Sequence, residues 1–218
     1  MMSDGEPAGV GPGAGGSASG RRDGRTTDTR DRILATALDA FIEHGFATTT
    51  LQDIADRLGL TKAALYYHFK SKDELVRAVM QPLVDALHAY AESSRAPEVT
   101  PRQLLERYFD IVHSHRAQCL ALTRDPSGAA AMSDEDWVSL WLAPVQSRLL
   151  PRPATPGERV RMLAAISGLG RSFLLHDVPL DELRPVTVDI ALETLAIGPA
   201  RADAPLGPVA ASAGAAAG

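Results

Sequence analysis

From Thr29 to Ile197 the apolar residues recur three and four positions apart, and no stretch alternates with period two, so the pattern predicts helices and no strands. Ile33, Leu34, Ala37, Leu38 and Phe41 form one stripe on a helix from about Thr29 to His44, with Gly45 as its stop. Thr50 stands where it caps the short helix LQDIADRL, whose Ile54, Ala55 and Leu58 face inward and which ends at Gly59. A third helix follows Thr61 and runs to about Phe69, with Leu65 and Phe69 four apart on its inner side. Ser71 and Glu74 have capping-box spacing for a fourth helix from Lys72, which Pro82 is expected to kink or end.

The second half repeats this grammar. TPRQ, Thr100 to Gln103, reads as a cap, a first-turn proline and a capping-box glutamine for a helix to about His115. DPSG from Asp125 is a break. A helix carrying Trp137 and Trp141 is expected to start at Ser133 to Asp136 and to be disturbed by Pro144. TPGE from Thr155 opens a long helix to about His176, and a last one runs from about Pro185 to Ile197, stopped by Gly198. The fold class is therefore all-α. Residues 1–25 and 198–218 are rich in Gly and Ala with little apolar content, and are expected to be a disordered arm and tail.

Composition narrows the function classes. The 218 residues carry a net charge of -5, so any nucleic-acid binding has to come from a local patch. Between Arg21 and Met80 acids and bases are near balance, but Arg57, Lys62, Lys70 and Lys72 gather around the third helix. Cys119 is the one cysteine, so no disulfide forms within the chain, which fits a cytoplasmic location. No apolar run approaches the ~18 residues of a membrane span, so no membrane partner is expected. The N-terminus lacks the apolar core of a signal peptide.

The second and third helices, joined at Gly59 by a turn of a few residues, have helix-turn-helix grammar, in which the second helix enters the major groove. The outer side of that helix carries Lys62, Ala63, Tyr66 and Tyr67. Phenol hydroxyls and His68 donate to phosphate oxygens, and tyrosine rings pack on sugar or a thymine methyl. Adjacent tyrosines on a helix also occur as packing residues, so the pattern alone leaves both uses open. The stretch from Thr29 to Met80, with AFIEHGF, TTLQDIADRLG and LYYHFKSKDEL in that order, resembles the N-terminal domain of the TetR family of transcriptional regulators.

That resemblance implies an N-terminal three-helix DNA-binding domain (26–72) and a larger helical regulatory and dimerisation domain (73–197). It implies Lys62, Ala63 and Ala64 at base edges and Tyr66, Tyr67, His68 and Lys72 at phosphates. Thr50 and Gln52 would meet the neighbouring strand, and Thr61 would cap the helix and touch a phosphate. Ala64 departs from the small hydroxyl or Gly common there, which leaves base reading mainly to Lys62 and Gln52. The implied partners are a double-stranded, palindromic DNA operator, a second copy of the chain bound through the last two long helices, and a small lipophilic effector that releases the DNA.

For the dimer, Leu163, Ile166, Gly170 and Leu174 form one stripe, and Ile190, Thr194, Leu195 and Ile197 lie on the last helix. For the effector, Tyr108, His115, Trp137, Trp141, Phe173 and His176 are the candidates, with Phe109 and Arg171 nearby, although each Trp also reads as core. His115 and Cys119 are four apart, yet two ligands make no metal site, and a buried structural pair is the plainer reading. No nucleotide-binding loop or nucleophile motif is present, so no cofactor or enzyme activity is expected. The alternatives are an activator or ligand-independent regulator, and a helical small-molecule binder or enzyme that has lost DNA binding.

Overall fold

The computed structural model describes residues 20–131, 137–150 and 153–208, with the backbone alone for 20–26, 131, 137 and 138. It is all-α among these residues. Three helices open the chain: α1 (Gly20–His44), α2 (Leu51–Leu58) and α3 (Lys62–His68). They pack through Ile33, Ala37, Phe41, Ile54, Leu65 and Phe69, each at most 1% exposed. Burying a large apolar side chain contributes about 1.5–3 kcal/mol, so this small core sets the mutual placement of α2 and α3. α1 begins at Gly20, before the expected Thr29, so the last part of the supposed arm is helical; the rest of it lies outside the described residues.

The expected caps form where the sequence puts them. The Thr50 side chain accepts from Asp53 N–H while Asp53 accepts from Thr50, and Gly59 closes α2 in the left-handed region. The Asp53 carboxyl is held below its ordinary value, first by the Thr50 hydroxyl. Glu74 departs from expectation. Ser71 caps α4 (Lys72–Ser93), but the Glu74 carboxylate accepts from Lys70 N–H rather than closing a box on Ser71.

The rest is a bundle of α4 with α5 (Pro101–Ser114), α6 (Arg116–Arg124), α7 (Trp137–Leu149), α8 (Pro156–Gly170) and α9 (Leu180–Thr194). A 3-10 turn, Pro126–Ala131, follows α6 at the expected DPSG break, and another, Ser172–Leu174, follows α8. The start expected at Ser133 to Asp136 lies outside the described residues.

Several expected ends are corrected. α4 runs through Pro82, and α7 through Pro144. A proline in a helix interior costs about 3 kcal/mol. In α4 that cost is offset by the burial of Val79, Met80, Leu83 and Leu87 on either side of an exposed Pro82. α9 starts at Leu180 and contains Pro185, which therefore does not begin it. α8 stops at Gly170, not His176, and Gly170 there lies against the Tyr108 hydroxyl, which a Cβ would meet at 2.7 Å. The turn that ends α9 falls on Ala196, whose φ is +57°, while Gly198 serves as N-cap of α10 (Pro199–Ala202).

The tail expected to be disordered from Gly198 is packed on the bundle as far as Pro208; the remainder lies outside the described residues. Leu206 N–H donates to Val99 O and Gly207 N–H to Pro97 O, both at 2.9 Å, so this strap crosses the α4–α5 loop. Arg102 anchors it through Asp203 (2.9 Å) and ties it to α9 through Asp189 (2.7 Å).

Candidate functional site

α3 is held from beneath and bare above. Leu65 and Phe69 are fully buried, and the Arg30 guanidinium covers the Phe69 ring at 5.0 Å. On the opposite side Tyr66 is 38% and Tyr67 71% exposed, and Lys62 and Ala63 are exposed beside them, with Ala64 half-buried. The Thr61 hydroxyl accepts from Ala64 N–H at 3.1 Å, so the expected cap is present. Burial of the two tyrosine rings in the chain's own core is thereby excluded.

The cations are arranged around those rings. Lys62 Nζ stands over the Tyr66 ring at 5.7 Å and Lys70 Nζ over Tyr67 at 5.9 Å. Lys70 also donates to Tyr66 O at 3.0 Å, capping the carbonyl end of α3. Half-buried His68 meets Tyr67 edge-on at 5.2 Å. Lys72, expected at a phosphate, reaches back and donates to Ala47 O at 3.0 Å in the α1–α2 turn. On α2, Gln52 is exposed and donates to Asp56 at 2.6 Å, while the Thr50 hydroxyl is engaged with Asp53 at 2.7 Å. The result is a convex, aromatic and basic ridge, led by Lys62 and flanked by Gln52. Its shape suits a groove, and its donors suit phosphate and base edges.

A cavity of about 270 Å³ lies in the second half, walled by Leu83 and Leu87 of α4, Tyr108 and Val112 of α5, Cys119 and Leu122 of α6, and Trp141 of α7. Ile166, Arg171 and Phe173 also line it. The Tyr108 and Trp141 rings are stacked, 5.1 Å apart, and Tyr90 backs them at 6.0 and 6.4 Å. Burial pushes the Tyr108 phenol well above its ordinary value and the Cys119 thiol up to about 11, so both are neutral near pH 7. A larger hollow of about 580 Å³, between α5, α9 and α10, has the Arg102–Asp189 ion pair in its wall and is the less apolar of the two.

Of the six residues expected at an effector, Tyr108, Trp141 and Phe173 come together in this cavity. His115 is instead the junction between α5 and α6, and His176 lies exposed beyond α8, its ring against Leu174 O. The Trp137 side chain lies outside the described residues. Residues not anticipated are Leu83, Leu87, Val112 and Leu122; the four-residue steps Leu83–Leu87 and Tyr108–Val112 carry that signal.

The comparisons agree with this geometry. The profile of the family described as "Bacterial regulatory proteins, tetR family" matches residues 33–79. The HTH-type transcriptional regulator TtgR of Pseudomonas putida is 32% identical over 202 residues, covering 79% of this chain and 94% of that protein. The HTH-type transcriptional activator FasR of Mycolicibacterium smegmatis is 29% identical over 191 residues, covering 78% and 82%. A TetR-like transcriptional regulator from Rhodococcus sp. RHA1 shares the fold, with a TM-score of 0.60 at 22% identity over 77% of this chain and 96% of that one. A helix-turn-helix with an outward basic-aromatic ridge, under a family profile and within a likeness to TtgR that covers 79% of this chain, makes this chain a member of the TetR family of DNA-binding transcriptional regulators.

Proposed function

We propose that the protein is a ligand-responsive repressor that binds a palindromic operator as a homodimer and leaves it when a small lipophilic effector fills the aromatic cavity. The observation that carries this reading is the pairing of an exposed ridge on α3 with an aromatic-walled cavity of about 270 Å³ in the other half of the chain. Lys62, Ala63 and Ala64 read base edges from the start of α3, with Gln52 beside them. Tyr66, Tyr67 and His68 contact phosphates, with Thr50, Thr61 and Lys72 at the flanks. Tyr108, Trp141 and Phe173 receive the effector.

Two copies meet through α8 and α9. One helix reads too few base pairs, whereas paired helices reach half-sites about one turn of DNA (~34–36 Å) or a multiple apart. Occupancy by such a dimer blocks the operator for other proteins without any further contact, which is the basis for repression. An effector that changes the spacing of the two α3 helices breaks simultaneous docking, and a coupling of ~1–3 kcal/mol gives about a 5–150-fold loss of affinity. Regulation with the opposite sign is the second reading, and the likeness to FasR, named an activator, favours it.

The test is selection of bound duplexes from fragmented genomic DNA, then a compound screen for release of the best duplex, with transcripts compared with and without the protein. Repression requires that transcripts next to the selected sites rise when the protein is removed; a fall supports activation. Selection of no duplex, or no release by any lipophilic compound that shifts the protein's melting temperature, ends the corresponding half of the reading.

A further inference from the structure

Asp125 closes the end of α6, far from α3 in sequence, yet its carboxylate grips the helix-turn-helix unit. Oδ2 accepts from Ala47 N–H at 2.7 Å across 78 residues of sequence, and Oδ1 accepts from Ser127 N–H at 3.0 Å. Ala47 lies in the turn between α1 and α2, just before the Thr50 cap that starts α2. Two close approaches make the grip possible. Gly45 has φ +87°, and a Cβ on it would stand 3.0 Å from Asp125 Oδ2. Gly128, in the 3-10 turn, lies so close to the Phe46 ring that any Cβ there would overlap it. Lys72 holds the same turn at Ala47 O from the α4 side. The Asp125 carboxyl is held below its ordinary value, first by the Ala47 N–H, so it is charged at neutral pH.

This turn sets the angle at which α2 leaves α1, and α3 follows α2 after a short corner. We propose that Asp125 is a positioning residue for DNA binding: supplied by the regulatory half, it fixes the α1–α2 turn and thereby aims α3. It touches no DNA itself. A helix-turn-helix left free to rock on α1 spends binding free energy on being ordered each time it docks. The latch removes that cost in advance.

The experiment uses the full chain and a duplex that the unaltered protein has recovered from a random pool. Asp125→Ala, Asp125→Asn and a control, Arg102→Ala, which cuts the ties to Asp189 and Asp203 instead, are compared at one salt concentration. Amide exchange at Phe46 and Ala47, melting temperature and DNA affinity are measured. Asp125→Ala should speed exchange at Ala47 and weaken DNA binding roughly five- to tenfold, the loss of about one hydrogen bond's worth of ordering. Asp125→Asn should recover part of both, because its one amide oxygen serves Ala47 but not Ser127 as well. Arg102→Ala should lower the melting temperature without changing DNA affinity. Unchanged DNA affinity in Asp125→Ala overturns the proposal, as does an equal loss of affinity in Arg102→Ala. If Asp125→Ala does not fold, Asp125→Asn decides alone: faster exchange at Ala47 or Ser127 with weaker DNA binding upholds the latch, and unaltered affinity overturns it.

Discussion

Lys62 sits at the first position of α3, exposed, its ammonium over the Tyr66 ring and free of any carboxylate ion pair among the described residues. Replacing it with Ala should relax the preference among operator variants at its base by about 1–3 kcal/mol, read as a flattened ranking in competition binding. A variant that leaves the ranking and the footprint unchanged would remove Lys62 from base reading. Lys72 differs, because its ammonium already holds Ala47 O in the free protein. Cys119 gives a chemical test of the cavity wall. With its thiol pushed up to about 11 by burial, thiolate forms only as pH climbs toward that value. Alkylation should therefore be slow at pH 7 and accelerate tenfold per pH unit well beyond the ordinary thiol value; a plateau near pH 9 would contradict the buried placement. The outward placement of Tyr66, Tyr67 and Lys62 is legible in the sequence because Leu65 and Phe69, four apart, claim the inner side of the helix. The places of His115 and His176 are not legible, since polarity near aromatics does not reveal that His115 is the corner between α5 and α6 or that α8 stops at Gly170, short of His176.

At the scale of elements, the caps and the ends of α1, α2, α3 and α5 are readable in the sequence, whereas the end of α8 and the start of α9 are not. Thr50, Thr100 and Thr155 each cap with the acid or amide three residues on, a signal wholly contained in four consecutive residues. Pro82 does not end α4 and Pro185 does not begin α9, because a proline's cost is local whereas the burial that offsets it comes from other helices. The C-terminus of α9 offers a direct test. Ala196 takes the left-handed position, with its N–H bonded to Glu193 O and Ile197 N–H to Leu192 O, a Schellman arrangement that ordinarily favours Gly. Ala196→Gly relieves the strained φ at the expense of a more flexible unfolded chain, and should stabilise by about 0.5–1 kcal/mol, seen as a raised urea midpoint at constant slope. A lowered midpoint would show that the Ala methyl contributes packing beyond its strain.

At the scale of the whole molecule, α8 and α9 leave an apolar face bare among the described residues. Val160 and Leu163 of α8 and Val186 and Ile190 of α9 are between 57% and 66% exposed, with Leu174 and Leu175 beside them. Of the residues the sequence assigns to a dimer face, Leu163 and Ile190 face outward, whereas Ile166, Leu195 and Ile197 are buried within the chain's own core. A large exposed apolar patch marks an interface, and here we propose the second copy as its occupant. Val186→Asp with Ile190→Asp should halve the mass in sedimentation, keep the helical circular dichroism, and abolish tight binding to a palindrome while leaving salt-sensitive, half-site binding. An unchanged mass would put the dimer elsewhere.

The strap from Pro199 to Pro208 matters to anyone who edits the chain's end. Its backbone closes on Val99 and Pro97, and its own Ala202 is 1% exposed, so these residues behave as a clasp rather than a trailing thread. Cutting at Gly198 would strip Arg102 of one of its two carboxylates and open the loop that starts α5, whereas an affinity handle appended after residue 208 leaves every one of those fastenings in place.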